Sequence, residues 1–121
     1  MPHKTLFSKN AKAITLKVVS DFIPRLRGLL GVKHLDSRQG LLIQPCTSIH
    51  TIGMSISIDV LFLDKYDKVL RVCHNVSPGC LRFGPAGTVN TIELAAGAAS
   101  GNSIIIYEQL RIRSIHDEYA G

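Results

Sequence analysis

The chain has 121 residues, of which 45% are hydrophobic and 19% are charged, a composition typical of one soluble globular domain. No apolar run approaches the roughly 20 residues that a membrane-spanning helix needs, and the basic N-terminal segment lacks the continuous apolar stretch of a signal peptide. We therefore predict a single cytoplasmic domain over residues 1–121 without a membrane span. The composition leaves the oligomeric state open.

The net charge of +5 is concentrated at the start of the chain, where residues 1–38 hold eight Lys or Arg against Asp21 and Asp36. A basic segment can bind nucleic acid or an anionic membrane. Aromatic residues are sparse there, and no predicted helix presents a row of Lys or Arg that could enter a groove. We therefore expect a solvated basic surface, and nucleic-acid binding is the least favoured hypothesis.

The first third of the chain is predicted to hold one strand and one short helix. Residues 1–12 are polar and are expected to form a loose tail. Residues 14–19 alternate between apolar and other side chains, as a strand does. Residues 20–31 supply a polar cap, a proline for the first turn and a terminal glycine, which together predict a short helix.

The middle of the chain predicts a hairpin. After Gly53 the alternation of side chains predicts a strand over residues 54–63, with Met54 and Phe62 on one face and Asp59 on the other. Residues 64–67 have the composition of a turn. A second strand over residues 69–74 then completes the hairpin.

The last third begins with a long connection. Residues 75–89 are rich in Gly, Pro and Asn, and a connection of this length in a small domain is often functional or mobile. A strand is predicted over residues 90–94 and a turn or helical turn over residues 95–102. Strands over residues 104–106 and 110–115 are expected to close the domain.

These elements predict an α+β, β-rich fold with about six short strands and one short helix. Strands this short cannot bury both faces in an open sheet. A small, antiparallel-rich, partly closed barrel with the helix packed on it would satisfy the strand edges best.

Four sequence motifs occur in an order that points to a family. They are RLRGLLG at residues 25–31, GLLIQPCTSIHTIGMSISIDVLFLD at 40–64, VLRVCHNVSPG at 69–79 and TIELAAG at 91–97. In this order the chain resembles the prokaryotic family called domain of unknown function 192, over about residues 14–112. The resemblance implies a small β-rich fold and no established biochemical activity.

Carried over position by position, the family's signature residues are Arg25, Gly28, Leu29, Met54, Asp59, Phe62, Glu93 and Gly97. His50 makes the chain similar to the subgroup that has a histidine where other members have aromatic residues. Many members have a Gly-Asp turn before the last strand. Here Tyr107 and Glu108 occupy that place, so the turn is expected to be built differently.

Cys46 and His50 are candidate metal ligands, because their i, i+4 spacing would place two ligands on one face of a helix. A zinc ion needs about four ligands, and the remaining cysteines and histidines form no C-x-x-C or H-x₃-H pair. Pro45 and Gly53 also disfavour a helix here. An odd set of three cysteines without an export signal predicts reduced thiols. The sequence predicts no cofactor.

Two carboxylates lie within predicted strands, Asp59 and Glu93. A buried carboxylate costs several kcal/mol of stability unless it is paired or hydrogen-bonded. Asp59 has three possible roles: holding backbone amides, pairing with Arg25, or acting as a functional acid with a shifted pKa. Pairing with Arg25 is the leading interpretation.

The primary functional hypothesis is a small binding or accessory module for a small molecule or peptide. Its polar pocket would lie where the helix meets the barrel and would contain Arg25, His50, Met54, Asp59 and Glu93. The first alternative is a hydrolase-like acid/base enzyme that uses the two carboxylates and His50. The further alternative is the metal site at Cys46 and His50.

Overall fold

The computed structural model describes residues 3–9, 12–20, 29 and 31–114. The described residues form nine strands and one short helix. The strands are β1 His3–Phe7, β2 Ala13–Val19, β3 Gln39–Ile43, β4 Ser48–His50, β5 Ile58–Leu63, β6 Val69–Val76, β7 Leu81–Phe83, β8 Asn90–Ala95 and β9 Arg111–Ser114, and the helix is α1 Ala98–Gly101. The helix predicted over residues 20–31, which includes Arg25, lies largely outside the described residues.

Seven strands form one sheet in the order β6-β5-β8-β3-β2-β1-β9, and β4 pairs with β7 in a separate ribbon. All neighbouring strands are antiparallel except β2 and β3. The β-rich, mostly antiparallel fold with one short helix is therefore confirmed, whereas neither sheet of the described strands is closed, and the partly closed barrel stays a prediction. The turns that precede the two edge strands, β6 and β9, meet at a bridge between Lys68 and Gln109, where the Leu110 amide donates to the Asp67 carbonyl and the Val69 amide donates to the Glu108 carbonyl.

Apolar residues fill a core on each side of the large sheet. The first core contains Leu6 and Leu16 from the N-terminal strands together with Leu61, Leu63 and Ile92. The second core lies on the opposite side. It comprises the buried residues Val19, Leu29, Leu41, Ile43, Cys46, Ile49, Met54, Ile58, Val60, Phe62, Cys73 and Val76. Alternate residues of a strand face opposite sides, so the central strands supply both cores.

The predicted hairpin is confirmed, with β5 paired to β6 across the turn at residues 64–67. The first of its strands is shorter than expected, because it begins at Ile58 and not at residue 54. A turn precedes it, with Gly53 at a φ of 83° and the Met54 amide donating to the Thr51 carbonyl at 3.1 Å. Glycine tolerates this positive φ, so the chain reverses there before it enters the sheet.

Residues His3–Phe7 form β1 where the sequence predicts a loose tail. The strand pairs with β2 on one side and with β9 on the other. The first three residues of the strand are polar, whereas Leu6 is 0% exposed and lies in the first core. Leu6 and Phe7 are its two apolar side chains, and they are adjacent and do not alternate with polar residues, so the sequence pattern does not indicate a strand; two neighbouring strands satisfy its backbone.

The turn before β9 replaces the predicted strand at residues 104–106. Tyr107 has a φ of 69°, a left-handed conformation that glycine adopts more readily. The Glu108 side chain accepts a hydrogen bond from the Ile105 amide at 3.2 Å. Tyr107 therefore takes the positive φ expected of the glycine in a Gly-Asp turn. Glu108 follows it and supplies the carboxylate that accepts a backbone amide, as an aspartate could.

No helix among the described residues is both long and apolar enough to span a bilayer.

Gly40 tests how tightly the centre of the sheet is packed. A Cβ atom at this position would lie 2.9 Å from the Glu93 carbonyl oxygen and 2.6 Å from Leu94 Cδ2. We expect Gly40→Ala to lower the free energy of unfolding by about 2–3 kcal/mol, because the clash involves backbone in a packed core. Urea denaturation measures the loss. Gly101→Ala is the control, since a Cβ there meets nothing within 4 Å; equal losses would contradict the packing argument.

Candidate functional site

Asp59 lies in β5 and is 0% exposed. One carboxylate oxygen accepts a hydrogen bond from the Asn75 amide at 2.8 Å, and the other accepts from the Gly97 and Ala99 amides at 3.0 Å each. Asp59 therefore joins β5 to β6 and to the beginning of α1. Of its three expected roles, this geometry corresponds to holding backbone amides; the pairing with Arg25 lies outside the described residues.

The site of Asp59 needs an acceptor because the backbone is irregular on both sides of it. The register of β5 and β6 shifts between Ile58 and Val60, and Asn75 has a φ of 51°. Gly97 has a φ of 89° where β8 turns into α1. The amides at these positions take no part in regular strand pairing. A buried amide without an acceptor lowers the stability of the fold by about 1–3 kcal/mol. The carboxylate supplies the missing acceptor.

Glu93 lies in β8 and is 4% exposed. Its immediate cross-strand neighbours are Leu41 in β3 and Val60 in β5, both members of the second core. Among the hydrogen bonds of the described residues, none involves the Glu93 carboxyl group. Desolvation by burial raises the pKa of Glu93 from its ordinary value of 4.5 to about 7. The structure thus contains an apolar layer with one carboxyl group that titrates near neutral pH.

The two carboxylates face opposite sides of the sheet. Glu93 is opposite Val60, and Asp59 is opposite Leu94. Directly opposed residues point to the same side, and successive residues alternate. Asp59 therefore lies on the side of the first core and Glu93 on the side of the second. The sequence expectation placed both in one pocket, and the structure separates them by the thickness of the sheet.

His50 and Met54 occupy different environments near the second core. His50 is exposed on β4, whereas its neighbour Ile49 points inward and packs in the second core. Met54 is 8% exposed and belongs to the same apolar layer as the neighbours of Glu93. Of the candidate pocket residues, the structure thus brings Met54 and Glu93 into one layer, and His50 lies on its outer surface.

Cys46 is buried, and its thiol donates a hydrogen bond to the Ser48 carbonyl at 3.1 Å. His50 is exposed on β4, so the two side chains lie in different environments. No group of three or more His, Cys, Asp or Glu side chains suited to a metal ion occurs within the described part of the chain.

Thr51 is a site residue that the sequence reasoning missed. It is 0% exposed, and its hydroxyl donates to the Ser77 carbonyl at 2.6 Å and accepts from the Cys80 amide at 2.8 Å. The Thr51 carbonyl also accepts from the Gly79 amide at 3.0 Å. These bonds fasten the loop after β6 to the segment before β5, beside the second core. A threonine flanked by His50 and Ile52 carries no sequence signal for this role.

Asp59→Ala tests the structural role of Asp59. The substitution leaves three backbone amides without their acceptor, so we expect the free energy of unfolding to fall by at least about 3 kcal/mol. Urea denaturation gives the value. Asp64→Asn is the control, because Asp64 also accepts two backbone amides but lies in a turn that is accessible to solvent. A loss at Asp59 no larger than the loss at Asp64 would contradict the assignment.

The raised pKa of Glu93 predicts a specific pH dependence of stability. The folded state binds its proton more tightly than the unfolded state, so stability falls as the pH rises from about 4.5 to about 7 and is constant above that. A shift of this size corresponds to about 3 kcal/mol. Glu93→Gln should remove that slope and raise stability at pH 8. Urea denaturation across the pH range measures it, and an unchanged slope would contradict the burial of an unpaired carboxyl group.

Comparison with known proteins bears on the family and the fold. The crystal structure of a protein of unknown function from Novosphingobium aromaticivorans DSM 12444 matches with a TM-score of 0.80 and 15% identity, over 90% of this chain and 83% of that chain. A structure described as that of a candidate transcription regulator from Sinorhizobium meliloti 1021 matches with a TM-score of 0.77 and 16% identity, over 93% and 92%. At these identities the likeness concerns the fold alone.

No curated protein matches the chain. The family model for domain of unknown function 192, described as an uncharacterised ACR, matches residues 4–112. That match spans nearly the whole chain and extends the sequence resemblance to β1. The chain therefore belongs to the domain of unknown function 192 family.

Proposed function

We propose that the protein is a small binding module whose ligand site lies in the second core, with Glu93 as its polar anchor. One observation carries the proposal: Glu93 is 4% exposed and lies between Leu41 and Val60, and no hydrogen bond among the described residues involves its carboxyl group. A buried polar group without a partner is destabilising, and an apolar side chain would fill the same place at lower cost. A group retained under these conditions suits a partner that binds from outside the chain.

The ligand class follows from the surroundings. Leu41 and Val60 flank the carboxyl group, and Met54 lies in the same layer. A ligand that suits this site has an apolar body and one hydrogen-bond donor, such as an amine or an amide N–H. Methionine adapts its shape to irregular apolar ligands, which supports its place in the pocket. A cationic donor would also lower the pKa of Glu93 and so favour the charged carboxylate.

Arg25 is the competing partner for Glu93, since it lies in the segment whose placement is not described. The two possibilities differ in energetics. An internal Arg25–Glu93 pair would make either single substitution strongly destabilising and the double variant no worse, because the two losses share one interaction. A ligand anchor predicts additive effects of Arg25→Gln and Glu93→Gln on the stability of the free protein.

The acid/base alternative receives no support from the geometry, because Asp59 and Glu93 are buried on opposite sides of the sheet and His50 is exposed on β4. A shared substrate atom would have to lie within hydrogen-bond reach of the catalytic groups. The metal alternative at Cys46 and His50 would require one of the two side chains to reorient, since Cys46 is buried and His50 exposed. The binding module is therefore the function that we favour.

The three free thiols support a reducing compartment for this module. Cys46 and Cys73 are buried and Cys80 is partly buried, and none forms a disulfide. Cytoplasmic proteins keep their thiols reduced. We include a cytoplasmic location in the proposal on this ground.

A titration followed by NMR tests the proposed site. Benzylamine is the probe, because it combines an amine with an apolar ring, and benzyl alcohol is the uncharged comparison. We expect saturable shifts of the Leu41, Val60 and Glu93 amides with benzylamine, and their loss in Glu93→Gln. Asp36→Asn is the matched control, since it removes an exposed carboxylate. Shifts confined to exposed segments, or unchanged in Glu93→Gln, would overturn the proposal.

A further inference from the structure

Basic residues from the two ends of the chain meet on one face of the sheet. The outward sides of β2, β1 and β9 are adjacent, and we call this surface the basic face. It comprises Thr15, Lys17, His3, Thr5, Phe7, Arg111 and Arg113. The three strands contain no acidic residue. The surface lies on the same side of the sheet as the second core, beyond the strands that Glu93 contacts.

The cations of this face are available to a partner. Lys17, Arg111 and Arg113 are exposed, and within the described part of the chain no hydrogen bond or ion pair engages their side chains. Two arginines elsewhere behave differently: Arg71 donates to the Phe83 carbonyl at 2.9 Å, and Arg82 donates to the Leu81 carbonyl at 2.7 Å. The basic face therefore presents charge that the fold itself does not use.

A cavity of about 320 Å³ opens beside the basic face. Its lining is Phe7, Ser8, Lys9, Glu108, Gln109 and Arg111. Ser8 is 6% exposed, and its hydroxyl oxygen is fully buried and has no hydrogen-bond partner within the described part of the chain. An unpartnered hydroxyl beside an aromatic ring and two cations offers both polar and stacking contacts to a ligand.

The geometry points to a single-stranded nucleic acid as the ligand of the basic face. Strand spacings place Arg113 about 7 Å from Arg111 and Lys17 about 12 Å from Arg113. Cations spread over this distance exceed what one phosphate group can contact and suit a chain of phosphates. Phe7 is partly exposed and lies between Ala13 and Arg111, and an aromatic ring beside a cation is an arrangement on which an unpaired base stacks.

The cavity fits a base or sugar and not a phosphate. Glu108 contributes a carboxylate to the lining, and this charge would repel a phosphate placed inside. The same carboxylate and the Ser8 hydroxyl can bond to the N–H or O–H groups of a nucleotide. The phosphates then lie outside the cavity and contact Arg111, Arg113 and Lys17, while the base or sugar occupies the cavity.

Fluorescence anisotropy with a labelled oligothymidylate of about 12 nucleotides tests the inference. Three phosphate contacts predict a slope of about −2 in log affinity against log salt between about 50 and 200 mM. Arg113→Gln and Lys17→Gln should each weaken binding and reduce the slope by about 0.7. Arg82→Gln is the matched control, because it removes the same charge from β7 of the ribbon. Equal effects of Arg113→Gln and Arg82→Gln would mean a response to net charge alone and would overturn the inference.

Two cavity variants separate nucleic-acid recognition from folding. Phe7→Leu keeps apolar volume but removes the stacking surface, and it should weaken binding by about fivefold or more. Ser8→Ala removes a hydroxyl that has no partner in the free protein. We expect it to leave thermal stability unchanged or higher and to weaken oligonucleotide binding. Unaltered binding in both variants would overturn the cavity's role.

Two further results would overturn the inference. In the first, thymidine monophosphate binds as tightly as the oligonucleotide, and Arg113→Gln leaves its affinity unchanged. This result would indicate a small-molecule site. The second is binding to vesicles with anionic phosphatidylserine but not to the oligonucleotide. Circular dichroism of each variant tests whether the fold is intact. The benzylamine titration tests the Glu93 site independently of oligonucleotide binding. Failure of one proposal therefore leaves the other standing.

Discussion

The three amides that Asp59 accepts hold the irregular parts of this fold together. The carboxylate lies in β5, next to β8 in the sheet, and reaches the bulge in β6 and the beginning of α1. Each partner is a backbone group that regular strand pairing leaves unsatisfied. By fixing where β8 ends and α1 begins, Asp59 supports the register in which Glu93 lies opposite Val60. The placement of the candidate anchor thus depends on a carboxylate on the other side of the sheet.

The two in-strand carboxylates show that burial alone does not define a role. Asp59 and Glu93 are both less than a tenth exposed, and they lie on adjacent strands. Asp59 is surrounded by amides that point at it, and so it is a structural acceptor. Glu93 is surrounded by aliphatic side chains, and so desolvation dominates and its pKa rises. The difference comes from the donors that the neighbouring backbone offers, and that information is absent from either residue's sequence context.

Features that depend on local sequence could be predicted, whereas features that depend on strand pairing could not. Alternation over Ile58–Leu63 predicted a strand that feeds both cores, and the turn at residues 64–67 predicted its hairpin partner. The opposite orientation of Asp59 and Glu93 depends on the pairing register of two strands about 30 residues apart, which local patterns cannot contain. The strand β1 was missed for a related reason, since its stability comes from β2 and β9 and not from its own side chains.

The distribution of positive charge over the surface likewise depends on strand pairing and not on local sequence. Counted along the chain, the basic residues form a polar first third and a nearly neutral remainder, which favoured a solvated surface. Pairing of β1 with both β2 and β9 brings Arg111 and Arg113 onto the same face as Lys17, two strands away, although almost the whole chain separates them in sequence. A row of cations on a sheet is assembled from strands that are distant in sequence, whereas a helix presents its row from one segment. Searching for a basic helix therefore tests only one of the ways in which a fold can concentrate positive charge.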